Sequence, residues 1–122
     1  PKGIVTDANM RTNIPHIFAI GDIRGGMMLA HVATFEGERA LNTIVAEMAG
    51  ENVECPINDG IDLNIVPAAV FTSPEAAVVG KTEDECKAEG IPARCLESLL
   101  RVNGKALSMD RPDGYCKIGV AG

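Results

Sequence analysis

Two short apolar runs stand near the start of the chain. They extend from Gly3 to Asp7 and from Ile17 to Ile20, and each is bounded by turn-forming residues. β-Branched residues between turn formers predict strands, and an unbroken apolar run such as the second is typical of a strand covered on both faces. We therefore predict two strands in this part of the chain.

A helical period begins at about Met28 and continues to Met48. Apolar residues recur there in steps of three and four positions, which is the spacing of an amphipathic helix. Gly50 follows and is a suitable residue to end the helix. The apolar positions are Leu29, Val32, Ala33, Ala40, Leu41, Ile44, Val45 and Met48. The first part of the chain is thus predicted as strand, strand, helix.

The rest of the chain is predicted to be rich in strands. Residues 51–65 are polar, contain a proline and an Asn-Asp-Gly turn signal, and predict a linker. Thr82 and Glu85 form a capping box for one short helix that ends near Gly90. Strands are predicted at 65–71, 76–80, 93–102 and 115–120, with turns at 103–104 and 112–114. The fold class is therefore predicted as α+β or α/β.

Composition and charge exclude several classes of function. The 17 acidic residues outnumber the 11 lysines and arginines, the net charge is -6, and the acids are spread along the chain. Binding to nucleic acid through a basic groove is therefore not expected. No apolar run approaches the roughly 20 residues that cross a bilayer, so we expect no membrane span.

The four cysteines indicate a reducing compartment. They lie far apart, with no C-x-x-C pair and no histidine at ligand spacing, so we predict free thiols, a cytoplasmic protein and no metal site. The chain begins at Pro1 without an initiator methionine and stops at Gly122 just after a predicted strand. We expect it to be a piece of a longer protein.

Asp22 is the first candidate for chemistry. It follows the second predicted strand, and open α/β sheets place their ligands at the carboxyl ends of strands. An ionised aspartate only accepts hydrogen bonds, which suits the hydroxyl groups of a sugar or polyol. Gly25 and Gly26 would let the backbone approach a ligand, and the predicted helix start near Met28 to His31 offers unpaired N–H groups and a partial positive charge. The pattern alone leaves open whether Asp22 binds a ligand or only caps a turn.

Two longer segments resemble a known family. The sequences RTNIPHIFAIGD (11–22) and GGMMLAHVATFEGERALNTI (25–44) resemble the second flavin-contacting segment of the pyridine nucleotide-disulfide oxidoreductases. With VFTSPEAAVVGKTEDE (70–85), they look most like the dihydrolipoamide dehydrogenases, one branch of that family. Glutathione and mercuric reductases are similar but tend to differ around Leu29-Ala30-His31. The resemblance extends from Gly3 to about Val120.

The resemblance implies a cofactor, an activity and partners. Asp22 would accept a hydrogen bond from the ribityl chain of FAD, and the flavin would be lined by Met28, Leu29, Ala30 and His31. The parent enzyme would oxidise dihydrolipoamide with NAD, through FAD and a redox-active cysteine pair. It would be a homodimer, with the lipoyl domains of a 2-oxo acid dehydrogenase complex as a possible partner.

The same resemblance assigns the domains. Residues 1–50 would be an FAD-contacting central segment, residues 51–65 a linker, and residues 66–122 the first part of an interface, or dimerisation, domain. This domain would begin as an antiparallel sheet with a helix.

Several motifs that the family's chemistry requires are missing from the sequence. It contains no G-x-G-x-x-G turn, no C-x-x-x-x-C pair and no C-terminal histidine-glutamate pair. His31 and Glu36 are five residues apart, which on a helix points their side chains about 140° away from each other, so they do not form such a pair. We therefore expect no catalytic residue in this chain, no activity of the chain alone and no retained flavin. The alternatives are a non-catalytic self-association module, or a different disulfide or mercuric reductase of the same family.

Overall fold

The longest element is helix α1, Ala30–Met48, in a computed structural model that describes residues 3–121. The predicted amphipathic helix is confirmed, but its buried stripe is half polar. The buried positions are Val32, Glu36, Arg39, Ala40, Thr43 and Ala46. Leu41, Val45 and Met48 belong to the apolar pattern yet are 58%, 56% and 84% exposed. Hydrophobic spacing therefore located the helix but not the whole of its buried face.

The end of α1 follows the prediction for Gly50. This glycine has a φ of 75°, in the left-handed region that favours glycine. Its N–H donates to the Glu47 carbonyl at 3.0 Å, and the N–H of Glu51 donates to the Ala46 carbonyl at 3.0 Å. These two bonds form a Schellman motif, which satisfies carbonyl groups that the helix end would leave unpaired.

The two strands predicted before α1 are wrong. Residues 3–7 and 17–20 are irregular backbone, apart from one isolated bridge between Arg11 and Phe18. Ile17 and Ile20 are 46% and 41% exposed, so this apolar run is not covered on both faces. A strand needs a neighbour to complete its ladder of hydrogen bonds, and the described residues supply only that single bridge.

The small core beside α1 comes from the loops on either side of it. Met10 is 1% exposed and Thr43 of α1 is also 1% exposed.

Residues 51–65 form the predicted irregular segment, which contains one short 3-10 turn, Leu63–Ile65. Beyond it, β1 (Ala68–Val70) pairs antiparallel with β2 (Ala76–Val78), which confirms the two strands predicted there.

The chain forms two compact units that divide between Gly80 and Lys81. The second unit contains α2 (Glu83–Ala88), β3 (Ala93–Leu99), α3 (Gly104–Ser108) and β4 (Tyr115–Ala121). Its strands β3 and β4 pair antiparallel, with Leu96 opposite Ile118. In residues 3–121 the fold is therefore a small α+β arrangement with two antiparallel sheets of two strands each. The predicted domain limits at residues 50 and 65 remain predictions.

Helix starts in the second unit are set by local capping. The capping box of α2 is present, since Glu85 accepts from the Thr82 N–H at 2.8 Å and its own N–H donates to the Thr82 hydroxyl at 3.3 Å. The turn predicted at 103–104 is wrong, because Asn103 caps α3 there by accepting from the N–H groups of Lys105 and Ala106. Turns and N-caps share a preference for asparagine, so this pattern did not distinguish them.

The expectations of no membrane span and of a longer protein remain to be compared with the structure. Among the helices in residues 3–121, none is long and apolar enough to cross a membrane. The expectation of a longer protein rests on Pro1 and Gly122, which lie outside the described residues, as does Lys2.

Candidate functional site

Asp22 lies on a short turn that precedes α1. Residues Gly21–Arg24 form one 3-10 turn, which is closed by a hydrogen bond from the Gly25 N–H to the Asp22 carbonyl at 2.9 Å. Gly21 and Gly25 have φ values of 72° and 70°, which favour glycine on both sides of Asp22. The Asp22 side chain is exposed, and within residues 3–121 its carboxylate accepts no hydrogen bond. Its acceptor sites are therefore available to a ligand with hydroxyl groups.

The start of α1 presents backbone donors beside apolar side chains. The N-cap residue is Leu29, whose side chain makes no capping hydrogen bond. The first bond of the helix runs from the Ala33 N–H to the Leu29 carbonyl at 3.1 Å, so the N–H groups of Ala30 and His31 have no acceptor within the helix. Met28, just before this helix end, is 66% exposed. The arrangement suits a ligand with an apolar ring face and an electron-rich edge, because the helix start carries partial positive charge.

His31 is tied to the backbone that leads into β1. Its Nε2 lies 2.5 Å from the Pro67 carbonyl oxygen, and since a carbonyl only accepts, Nε2 carries the proton in this contact. Glu36 contacts different groups, Gly21 and Arg24. His31 and Glu36 therefore do not form an acid-base pair.

Glu36 is the residue that sequence reasoning left without a role. It is 6% exposed, although it is a carboxylate. It accepts a hydrogen bond from the Gly21 N–H at 2.6 Å and forms an ion pair with Arg24. One signal was available: Val32, Glu36 and Ala40 are spaced four residues apart, so Glu36 continues the buried stripe of α1.

A second buried ion pair fastens residues 54–61 to α1. Arg39 donates to the Asp59 carboxylate through Nε at 2.9 Å and through a terminal nitrogen at 3.0 Å, and also to the carbonyl oxygens of Ile61 and Ala8. Burial alone would raise the pKa of Asp59, but the hydrogen bonds from Arg39 and from the Ile61 N–H outweigh it and hold that pKa below its ordinary value. The predicted linker is therefore a packed segment where it contacts α1.

Asn9 makes a further link to the same segment. Its side-chain amide donates to the Glu54 carbonyl at 2.7 Å and accepts from the Ile57 N–H at 2.7 Å. The residue is only 4% exposed. Its two hydrogen bonds satisfy both the donor and the acceptor of this buried amide. The loops before and after α1 are thus connected directly.

The four cysteines are not joined by disulfide bonds in this structure. Cys55, Cys86, Cys95 and Cys116 are all free thiols, as predicted. Within the described part of the chain, no three or more His, Cys, Asp or Glu side chains are grouped so that they would hold a metal ion.

Comparison with family models identifies two matching segments. Residues 66–121 match the model described as the pyridine nucleotide-disulphide oxidoreductase dimerisation domain. Residues 1–37, which include Asp22 and the start of α1, match the model described as pyridine nucleotide-disulphide oxidoreductase.

Curated relatives match nearly the whole chain. Dihydrolipoyl dehydrogenase of Bacillus subtilis is 44% identical over 118 residues, which are 96% of this chain and 23% of that protein. Dihydrolipoyl dehydrogenase 3 of Haloarcula marismortui is 40% identical over 115 residues, 94% of this chain and 22% of that protein. The chain therefore spans less than a quarter of the length of these relatives.

Solved structures share the fold. The crystal structure of LpdA from Mycobacterium tuberculosis superposes with a TM-score of 0.71 at 33% identity, covering 96% of this chain and 24% of that one. The HOCl-induced flavoprotein disulfide reductase RclA from Escherichia coli gives a TM-score of 0.67 at 23% identity, covering 98% and 26% of the two chains. At that lower identity the second match supports the fold alone.

Proposed function

The chain belongs to the pyridine nucleotide-disulphide oxidoreductase family, and from this premise we propose that it is part of a flavoprotein resembling dihydrolipoyl dehydrogenase. Such a protein oxidises dihydrolipoamide with NAD by way of FAD and a redox-active cysteine pair. The names of the relatives at 44% and 40% identity support this choice of substrate within the family. The homodimer, and the lipoyl domains of a 2-oxo acid dehydrogenase complex as a partner, belong to the same proposal.

The observation that carries the proposal is the pairing of Asp22 with the uncapped start of α1. The turn that holds Asp22 packs on this helix, since a Cβ at Gly21 would lie 3.1 Å from the Cβ of Ala33. A free carboxylate and a row of free N–H groups therefore occur in one part of one structural unit. These two features match the two ends of a flavin that need recognition, the ribityl hydroxyls and the pyrimidine edge.

Each site residue receives a role in binding rather than in bond making. Asp22 accepts a hydrogen bond from a ribityl hydroxyl, and the N–H groups of Ala30 and His31 face the pyrimidine edge. Met28 and Leu29 provide apolar contact with the ring. The helix start stabilises negative charge at this edge by about 0.3–1 kcal/mol, and more where the contact is partly buried. Bound FAD supplies the electron-transfer chemistry itself.

The proposal is tested in the full-length flavoprotein that carries this segment. We expect the purified protein to hold FAD and to reduce NAD with dihydrolipoamide, and to be much less active with NADPH and glutathione disulfide or mercuric ion. Asp22→Ala should weaken FAD binding, whereas Asp113→Ala, at an exposed aspartate of the second unit, should leave it unchanged. Full activity with glutathione disulfide or mercuric ion instead would favour another reductase of the family.

The isolated chain provides a second arm of this test. Asp22 and the start of α1 supply only one side of a flavin site, and the chain contains no C-x-x-x-x-C pair. We expect the isolated chain to be purified without flavin and to be inactive, as its visible absorption spectrum and a dihydrolipoamide assay would report. A stoichiometric yellow preparation would contradict this expectation.

A self-association module is the second candidate function. It is favoured by the match of residues 66–121 to a dimerisation domain and by exposed apolar side chains on the strands of the second unit. The two candidates are compatible, because an interface domain retains its association surface whether or not the rest of an enzyme is present. The oligomeric state of the isolated chain distinguishes this candidate from a plain monomeric domain.

A further inference from the structure

We propose that Glu36 and Arg24 form a positioning pair that holds the Asp22 turn at a set place on helix α1. The inference rests on the proposed function, because what the pair positions is the flavin contact of Asp22. Glu36 and Arg24 are positioning residues rather than catalytic ones, since each acts through the backbone that carries Asp22.

The Glu36 carboxylate is buried and fully used by the turn that carries Asp22. Its side chain is only 8% exposed, and both of its oxygens are used, one by the Gly21 N–H at 2.6 Å and the other by Arg24. Hydrogen bonds to an ionised group are shorter and stronger than neutral ones. Gly21 and Arg24 are the two ends of the 3-10 turn, so one carboxylate binds the turn at both ends.

The Asp22 turn is also held on the side that faces residues 3–6. Arg24 donates through Nε to the Thr6 hydroxyl at 2.9 Å, and the Ile4 N–H donates to the Ile23 carbonyl at 2.8 Å. A Cβ at Gly3 would lie 2.4 Å from the carbonyl carbon and oxygen of Arg24, so the two backbones pass very close to each other. The turn is therefore fastened between residues 3–6 and α1.

The position of Asp22 depends on its backbone. Its carboxylate accepts no hydrogen bond from the described residues, so its place is set by the backbone on either side of it. Glu36 lies six residues after Ala30 on the same helix, a rise of about 9 Å at about 1.5 Å per residue. Glu36, which anchors the turn, and the N–H groups of Ala30 and His31, which are proposed to contact the other end of the flavin, therefore lie on one rigid helix.

The test compares variants of the full-length flavoprotein by titrating the apoprotein with FAD and following flavin absorbance. We expect Glu36→Ala to weaken FAD binding by at least about tenfold, the loss that corresponds to one hydrogen bond to a charged group. Glu36→Gln should lose less, because its amide oxygen still accepts from the Gly21 N–H. Glu38→Ala is the matched control, since Glu38 lies on the same helix but is exposed, and it should bind FAD like the wild type.

A double-mutant cycle separates positioning from a general effect on stability. If Glu36 acts through Asp22, then Glu36→Gln has little further effect on FAD binding once Asp22→Ala is present. If the two losses simply add, Glu36 supports the fold and the inference is wrong. Glu36→Gln keeps the shape of the side chain, so the cycle remains available if Glu36→Ala does not fold.

The Asp22→Ala single variant distinguishes failure of this inference from failure of the proposed function. If Asp22→Ala binds FAD as tightly as the wild type, the flavin contact itself is wrong. If Asp22→Ala weakens binding while Glu36→Ala and Glu36→Gln do not, the contact stands and the positioning pair is overturned.

Discussion

At the scale of single residues, charged and polar side chains make up much of the buried face of α1. Glu36, Arg39 and Thr43 occupy half of the buried positions of this helix. A buried charge is tolerated only when it is paired and hydrogen-bonded. Both charges meet this condition, and the Thr43 hydroxyl donates to the Arg39 carbonyl at 2.9 Å. Within the described residues no buried side-chain nitrogen or oxygen lacks a partner.

Arg39→Ala should strongly destabilise the first unit. The side chains of Arg39 and Asp59 are 7% and 4% exposed, so the substitution leaves the Asp59 carboxylate buried without its charge partner. Breaking such a pair costs about 3–5 kcal/mol, which denaturant unfolding of the isolated chain would measure.

Arg111→Ala is the control for this change, because Arg111 is exposed in the second unit. It should change the free energy of unfolding by less than about 0.5 kcal/mol. A similar value for Arg39→Ala would show that the Asp59 pair does not hold residues 54–61 on the helix.

At the scale of elements, local rules explain where α1 ends and where α2 and α3 begin. Gly50 ends α1 through a Schellman motif, and Thr82 with Glu85 starts α2 through a capping box, both as predicted. The strands before α1 did not form, although their apolar content was high. Caps need only neighbours in sequence, whereas a strand needs a partner from elsewhere in the chain.

Gly50→Ala should destabilise α1 through the backbone alone. A Cβ at this position would meet no atom within 4 Å, so crowding does not contribute, but the φ of 75° disfavours any residue with a side chain. We expect a loss of about 1 kcal/mol in the free energy of unfolding, measured by thermal or denaturant unfolding.

Gly26→Ala is the matched comparison. A Cβ there would also meet no atom within 4 Å, but the φ of Gly26 is not in the left-handed region. This substitution should leave stability unchanged or raise it, because alanine restricts the unfolded chain. Equal losses for the two variants would argue against backbone strain as the cause.

The docking of α2 on its sheet should depend on pH. Hydrogen bonds from Lys117 of β4 at 2.5 Å and from Lys87 at 2.7 Å lower the pKa of Glu83 from 4.5 to about 2. A lowered pKa in the folded state gives stability that is complete above the unfolded pKa and is lost as the carboxylate takes up a proton. The thermal midpoint of the second unit should therefore decrease as the pH is lowered from 4.5 to about 2.

Glu83→Gln should flatten this part of the pH profile. High salt should flatten it partly, because the ion pair of Glu83 with Lys117 is exposed to solvent and is therefore screened. Asp113→Asn, at an exposed residue of the loop before β4, should leave the profile as it is in the wild type. An unchanged profile in Glu83→Gln would assign the acid sensitivity to other carboxylates.

Exposed apolar surface is the main feature at the scale of the whole molecule. In the second unit, Leu96 and Ile118 lie opposite each other on β3 and β4 and are 49% and 58% exposed. Each of these strands pairs with one other strand in the described part of the chain, so each has an open edge. Such edges and apolar faces promote association with other chains.

The isolated chain should therefore form dimers or larger species. Size-exclusion chromatography with light scattering, repeated over a range of concentrations, would measure the mass. Ile118→Lys should shift the distribution toward the monomer, because a lysine on the apolar face opposes its burial, while Lys105→Ala on α3 should not. A strict monomer at every concentration would count against the self-association module.

Much of the candidate site was predictable, because its features are local in sequence. Asp22 between Gly21 and Gly25, the start of α1 and the stop at Gly50 all follow from residue types at short spacing. The resemblance of 11–22 and 25–44 to a flavin-contacting segment then gave Asp22 and His31 their predicted roles. Those roles remain predictions, whereas the family is confirmed by the matches over residues 1–37 and 66–121.

By itself, the sequence determined the family, helices α1 and α2 with the stop at Gly50 and the capping box of Thr82, and the presence of strands that the structure places at 68–70, 76–78, 93–99 and 115–121. Only the tertiary structure decided that Glu36 holds the Asp22 turn, that Arg39 binds Asp59, and that residues 3–7 and 17–20 are not strands. The reason is physical. Caps, turns and helical periods depend on residues within a few positions of each other, while a buried charge or a strand depends on a partner that sequence spacing does not reveal.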